Sequence, residues 1–282
     1  MTVATHTRIT PRFNNFGADV DIDLSQPLSE AEKREIADAF HRYQFVIFRE
    51  ADLTLAQLAA FVEAFGTADQ GRGRLASDVN EYAGIRVVEN VEKGKFGPRG
   101  NSELAWHSDR FFDPVVAGVL NSVVVPEVGG DTSLADMYRA LDELPPPLRR
   151  AIEGRKIKQD CVFAPDGTPG IRPGGMPIAG VDRSPGIATD IVQTHRYTGK
   201  QFLYLGNRLN AYVEGLPLEE SESLLDALYA HVDQTTFHYR HHWAPHELVL
   251  YDNQACMHRR ESFDVNADRK LYASVVDKSD LL

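Results

Sequence analysis

Two segments of the chain carry a histidine and an acid two residues apart, His107-Ser108-Asp109 and His231-Val232-Asp233. Imidazole and carboxylate both bind divalent metals, so each pair is a candidate chelate. With 10 histidines and 41 acids among 282 residues, roughly one or two such pairs arise from composition alone. Backbone geometry separates the two. On an extended chain residues i and i+2 point to one side and can reach one ion; on a helix they diverge by about 200°. His231 and Asp233 close a segment of helical spacing that starts near Leu218, where a histidine suits the C-terminus of the helix instead. His107 and Asp109 lie in a non-helical stretch before a β-branched run and stay candidate ligands.

Two ligands do not hold a reactive metal. Two histidines and one carboxylate on one face of iron(II) leave three positions open for substrate and oxygen. The third ligand must come from the remaining histidines. His6 stands in a start without ordering signals, and His41 on an N-terminal helix. His238, His241, His242 and His246 crowd a strand and turn near Trp243, where most read as exposed or structural. His258 follows the apolar run 247–251 and the turn-forming Asp252-Asn253, and Arg269 stands eleven residues beyond it. Cys256 could share the face of His258 and make a softer zinc site, although a buried, inert thiol is the simpler reading.

The elements that must carry these groups follow from pattern. Ser29-Glu30-Ala31-Glu32 is a capping box, and Ile36, Ala39, Phe40 and Tyr43 follow at helical spacing. Gln44-Phe45-Val46-Ile47-Phe48 reads as a buried strand. Thr54 to Gln57 opens a second helix with Leu55, Leu58, Ala59, Val62 and Phe65 on one face, ended by Gly66 in the left-handed conformation. Residues 115–125 are rich in β-branched side chains; 133–143 and 147–153 read as helical, and 156–163, 202–205, 236–241 and 247–251 as strands. An amphipathic helix is expected over 218–232. Gly and Pro crowd 164–185, so an insertion loop is expected around 164–190. Strands outnumber helices, which predicts a mainly β fold, a sandwich or barrel with helices packed outside.

Composition bounds the function. The hydrophobic content of 43% and charged content of 25% are those of an ordinary globular protein, and no composition shift marks a linker, so one domain over 1–282 is expected. A formal net charge of −11 argues against a nucleic-acid partner. No apolar run approaches the roughly 20 residues of a membrane span, and no secretory signal is visible. Cys161 and Cys256 make no disulfide framework, so a reducing cytoplasm is expected.

His107-Ser108-Asp109, Gly129-Gly130-Asp131-Thr132, Asp252-Asn253-Gln254 leading to His258-Arg259, and then Arg269 together resemble the taurine dioxygenase/2,4-dichlorophenoxyacetate dioxygenase family. Phe45-Val46-Ile47-Phe48-Arg49 and Val213-Glu214-Gly215-Leu216-Pro217 extend the likeness nearly end to end. The resemblance implies a double-stranded β-helix, the jelly roll of clavaminate synthase-like proteins. It implies Fe(II) on His107, Asp109 and His258 as the catalytic centre, with O2 and 2-oxoglutarate as co-substrates. The far carboxylate of 2-oxoglutarate would meet Arg269 and Thr132; an arginine fork suits that role. The implied reaction hydroxylates a small organic acid, aryloxyalkanoate-like or another carboxylate, with release of succinate and CO2. The presence of Asp109 favours hydroxylation over the halogenation seen in relatives that lack this carboxylate. A homo-oligomer, dimer or tetramer, is the family habit.

The substrate is less constrained. In taurine- and phenoxyacetate-type members an arginine four residues past the 2-oxoglutarate arginine can hold the substrate's acid group, and here that residue is Ala273. An anionic substrate would then turn to Arg72, Arg74, Lys93, Lys95, Arg99 or Arg110. His195 and Asn90 match positions near the pocket, although a hydrogen-bonded structural role suits His195 equally. A lid is expected around 92–101, with Gly94, Gly97 and Gly100 allowing it to move. The competing class is a non-oxidative cupin-like isomerase or hydrolase, which has no use for Arg269 and Thr132. A purely structural metal site fits an open three-ligand face poorly.

Overall fold

Both N-terminal helices begin where the sequence caps them. In α1 (Glu30–Tyr43) the Ser29 hydroxyl accepts from the Glu32 amide at 3.3 Å and the Glu32 carboxylate accepts from the Ser29 amide at 2.7 Å. In α2 (Leu55–Phe65) Thr54 and Gln57 make the same reciprocal pair. Gly66 ends α2, but with φ 155° and ψ −162° it is not the left-handed helical residue expected. A side chain there would strike the Lys278 carbonyl, so the position requires glycine for close approach as well as for its positive φ.

The structure is a computed structural model and describes residues 7–68, 82, 84–90, 101–111, 114–160 and 186–282. The N-terminal half supplies β1 (Arg8–Pro11), β2 (Ala18–Asp21), β3 (Phe45–Phe48), β4 (Thr67–Ala68), β5 (Arg86–Glu89), β6 (Leu104–His107), β7 (Ala117–Val124) and β8 (Thr132–Asp136). The C-terminal half supplies β9 (Lys156–Gln159), β10 (Ile187–Asp190), β11 (Val192–Thr194), β12 (Gln201–Leu203), β13 (Ala211–Val213), β14 (His238–His241), β15 (Leu248–Asp252), β16 (Cys256–Arg260) and β17 (Lys270–Lys278).

Two sheets matter for the site. The larger runs β1-β2-β3-β15-β7-β17-β4, with β5 also paired to β17; the smaller runs β14-β8-β16-β6. All their pairings are antiparallel except β2 with β3. The strands alternate sides as a pleat requires. Phe45, Ile47, Val249, Tyr251, Leu134 and Cys256 form a core between the sheets. The opposite residues of the large sheet, among them Val46, Phe48, Leu250 and Val276, pack with α1 and α2. On the far side α3 (Met137–Asp142), α4 (Pro146–Ile152) and α5 (Leu218–Val232) cover the small sheet together with β12 and β13. Two facing antiparallel sheets clad in helices make the jelly roll that the sequence predicts.

The expected helix over 133–143 divides in two. Residues Thr132–Asp136 pair with β14 on one side and β16 on the other, and the helix starts only at Met137. Asp136 sets that boundary, because its carboxylate accepts from the Tyr138 and Arg139 amides. The strand expected over 236–241 likewise opens with a 3-10 turn, Thr235–Phe237. Most of the insertion around 164–190 lies outside the described residues; its last four form β10 against β9. No helix among the described residues is long and apolar enough to cross a membrane.

Candidate active site

His107 and His258 are direct register partners on the adjacent strands β6 and β16. A cross-strand pair projects to one face, and the two imidazoles meet with centroids 4.2 Å apart and planes inclined by 47°. Two residues on, Asp109 comes to the same side, its Oδ2 lying 3.9 Å from His258 Nε2. One ligand atom from each of the three lies within 4.8 Å of the other two, and no other metal-capable cluster exists among the described residues.

Two of the three groups are held from behind, whereas His258 Nδ1 is buried without a hydrogen-bond partner among the described residues. His107 Nδ1 donates to the Ala105 carbonyl at 2.7 Å, which leaves Nε2 as the free lone pair. The Asp109 amide donates to Asn253 Oδ1 at 2.7 Å, while Asn253 Nδ2 donates to the Asp109 carbonyl at 2.9 Å. One side chain in the turn between β15 and β16 therefore fixes the loop that follows β6. The Tyr251 hydroxyl donates to Asp109 Oδ2. Tyr251 reaches it by lying across Gly118 of β7, where a Cβ would come within 2.0 Å of the ring.

Protonation follows from these surroundings. Burial, reinforced by the charge of His107, pushes His258 down to about 3, and burial lowers His107 as well. Burial would raise Asp109, but the charges of His258, Arg86 and His107 and the Tyr251 hydroxyl overcome it and hold the carboxyl below its usual range. Burial and the Asp109 charge keep Tyr251 protonated, so it remains a donor. At neutral pH the cluster offers two neutral imidazoles and a carboxylate, the forms that ligate a divalent cation. Nitrogen and oxygen donors with an open side suit iron(II).

A second polar group lies beside it. Gly129 and Gly130, with φ of 80° and 72°, turn the chain into β8. Arg269 lies over Gly130, donating from Nη2 to its carbonyl at 3.1 Å, while its buried Nε has no partner. The Asp131 charge acts on Arg269 only from a distance, because its carboxylate pairs with Arg240 Nε (2.8 Å) and His242 Nδ1 (2.6 Å). Burial, with Arg260 nearby, pushes Arg269 down to about 9. Thr132, one residue past Asp131, is buried and accepts from Trp243 Nε1 at 3.0 Å. Its own proton stays available to a second acceptor. A buried guanidinium without an ion pair among the described residues, near a hydroxyl that can donate, has the chemistry to receive a carboxylate.

The other expected residues divide. His231 donates to or accepts from structure only, its Nε2 2.8 Å from the Ala140 carbonyl, and Asp233 takes the Trp106 indole and Arg259, so the rival pair holds no metal. The Cys256 thiol, raised by burial, faces Gln44, which removes it as a zinc ligand. His195 is buried with Nε2 3.3 Å from Asp252 Oδ2, among the rings of His41, Tyr138, Tyr197 and Phe202, an arrangement that suits the hydrogen-bonded structural role the sequence equally allows. Asn90 grips the backbone around Arg269, accepting from the Arg269 amide at 2.8 Å and donating to the Ala267 carbonyl at 2.7 Å. Arg110 pairs with Asp277 at 3.1 Å. Arg72, Arg74, Lys93, Lys95, Arg99 and the lid around 92–101, apart from Asn101, lie outside the described residues. Tyr251, Asn253, Trp243 and Arg86 were absent from the sequence-based candidates. Tyr251 left a sign by sharing strand parity with the inward Val249, and Asn253 by standing in the Asp252-Asn253-Gln254 segment that carries the resemblance.

Among jelly rolls, an open face of two histidines and a carboxylate next to a carboxylate receptor defines the non-haem dioxygenases that consume 2-oxoglutarate. The chain matches the family described as Taurine catabolism dioxygenase TauD, TfdA family over residues 6–274, and it belongs to that family. It is 33% identical over 271 residues to the alpha-ketoglutarate-dependent 2,4-dichlorophenoxyacetate dioxygenase of Cupriavidus pinatubonensis, covering 91% of this chain and 92% of the relative. It is 29% identical over 281 residues to the (S)-phenoxypropionate/alpha-ketoglutarate-dioxygenase of Sphingobium herbicidovorans, covering 94% and 93%. The crystal structure of AAD-2 in complex with Mn(II) and N-oxalylglycine superposes with a TM-score of 0.79 at 26% identity, over 98% of each chain. The chain is an alpha-ketoglutarate-dependent dioxygenase, using Fe(II), 2-oxoglutarate and O2. A non-oxidative cupin-like activity has no support from these relatives.

Proposed function

We propose that the chain hydroxylates a small organic acid of the aryloxyalkanoate kind, with His107, Asp109 and His258 holding Fe(II) and with Arg269 and Thr132 holding the far carboxylate of 2-oxoglutarate. The observation that carries this reading is the pairing of an open metal face with a buried arginine that has no counter-ion among the described residues. When bound, the iron turns substrate, 2-oxoglutarate and O2 into hydroxylated substrate, succinate and CO2. The protein supplies position. Asn253 and Tyr251 aim Asp109, Ala105 aims His107, and Asn90 sets the strand from which Arg269 reaches over Gly130. Hydroxylation beside an ether oxygen yields a product that falls apart to an alcohol or phenol and a carbonyl compound.

The substrate class is supported by relatives named for 2,4-dichlorophenoxyacetate and (S)-phenoxypropionate. The reading extends to one catalytic domain over 1–282, in keeping with the unbroken family match over 6–274. A buried free thiol at Cys256 suits a reducing cytoplasm. A dimer or tetramer rests on family habit alone.

The test is succinate release from 2-oxoglutarate under O2 across aryloxyalkanoates, sulfonates, amino acids and other small acids. Substrate-dependent succinate that vanishes in His107→Ala, Asp109→Ala and His258→Ala is expected, and full activity in any one of these removes that residue from the triad. Arg269→Ala raises the KM for 2-oxoglutarate while the metal stays bound; an unchanged KM breaks that assignment.

A further inference from the structure

Position 273 lies on β17 with Leu271 and Val275, on the side that faces the small sheet, because Tyr272 and Val276 on the other side pack with the helices. Alanine there is buried and brings no charge to that side. β5 lies alongside and brings one from the next strand, since Arg86 is the direct register partner of Ala273. Cross-strand partners start about 5 Å apart and project the same way. An arginine at either position therefore delivers its guanidinium into one space.

The register also places Arg86 relative to the metal face. Across Ala273 the ladder continues to Leu120 of β7, and two residues along β7 Gly118 lies beneath Tyr251, so the path from Arg86 to the cluster crosses only small side chains and one apolar one. Among the described residues Arg86 has neither an ion pair nor a side-chain hydrogen bond, although it is only partly exposed. The neighbouring cation Arg110 is engaged by Asp277, and Lys270 by Glu89. A half-buried guanidinium on the inward side of the sheet that carries Tyr251, with no ion pair among the described residues, is a seat for an anion.

We propose that Arg86 anchors the acid group of the substrate, replacing across the strand pair the arginine that residue 273 does not supply. This rests on the acid-substrate reading above and names the residue that selects it. A carboxylate is the preferred ligand, because the planar fork meets its two oxygens together. The arrangement also sets order along the substrate: the acid sits toward β5 and the bond to be hydroxylated lies between it and the metal face.

The test reads binding without turnover, by calorimetric titration of the full chain loaded with Mn(II) and N-oxalylglycine. The probes are 2,4-dichlorophenoxyacetate, its methyl ester and phenoxymethanesulfonate. The acid is expected to bind more tightly than the ester, and Arg86→Gln to weaken the acid about 10- to 100-fold while leaving the ester unchanged. The double variant Arg86→Ala with Ala273→Arg is expected to recover most of the loss, and it decides the matter if Arg86→Gln does not fold. Sulfonate binding equal to the acid overturns the carboxylate preference. Acid affinity unchanged in Arg86→Gln, or no recovery in the double variant, overturns the anchor. If no acid outbinds its ester, yet a neutral compound drives succinate release, the anchor falls and the dioxygenase reading stands. If no compound drives succinate release, the function proposed above falls with it.

Discussion

Removing one oxygen from Tyr251 isolates its role behind Asp109. Tyr251→Phe keeps the ring that packs over Gly118 and deletes only the hydroxyl that donates to Asp109 Oδ2. A hydrogen bond to a charged acceptor contributes about 1.5–3 kcal/mol, and loss of a partner behind a metal ligand typically costs about 10- to 100-fold in affinity. The Asp109 side chain is 21% exposed, so water can take part of the vacated place. That places the expected loss near the lower end, about tenfold. The assay is anaerobic titration of the metal-free protein with Fe(II), with the melting temperature followed in parallel. A change below twofold refutes the argument. So does a tenfold loss accompanied by a collapse of the melting temperature, because the hydroxyl would then be serving the fold.

Three further outcomes are expected. Asn90→Ala frees the backbone around Arg269 and should raise the KM for 2-oxoglutarate by up to about 30-fold, at roughly 1 kcal/mol for each of two lost bonds; the KM for the organic substrate serves as the control. Gly118→Ala drives a methyl into the Tyr251 ring and should lower stability by about 1–3 kcal/mol or more, read from the urea midpoint. Glu247 is buried; burial works to raise its carboxyl, but His241, the Ala244 amide and Arg49 hold it down to about 2, against 4.5 unfolded. Its contribution is therefore complete above pH 4.5 and lost as pH falls toward 2, a change on the order of 3 kcal/mol. Denaturation curves at pH 6 and pH 3 on wild type and Glu247→Gln check this; equal slopes with pH would remove Glu247 as the cause.

What could be read in the sequence was local or pairwise. Both capping boxes and α5 fell where their residues demanded, because a helix satisfies its own backbone. Backbone parity was enough to reject His231 and Asp233. The misread stretch was 133–143, where Thr132–Asp136 obeys neighbours more than 100 residues away in β14 and β16. Site residues followed the same division. Ligands recur at fixed spacing, but Asn253, Trp243 and Arg86 meet Asp109, Thr132 and Ala273 more than 100 residues away, which no single segment records. His195 stayed open between a pocket and a structural role, because a buried histidine bonded to Asp252 has the same local sequence as one facing a ligand.

Trp243 and Trp106 are the only two tryptophans of the chain. One indole is bonded to Thr132; the other, next to His107 on β6, projects to the opposite face and packs on the helix side, with its own N–H on Asp233. The protein therefore carries one built-in fluorophore beside Thr132 and a second behind the small sheet. A carboxylate arriving at Arg269 and Thr132 would change the surroundings of the Trp243 emitter, while Trp106 serves as an internal reference. With Trp243→Phe as the silent partner, the arrival of the co-substrate can be followed by emission alone, with no label and before any turnover.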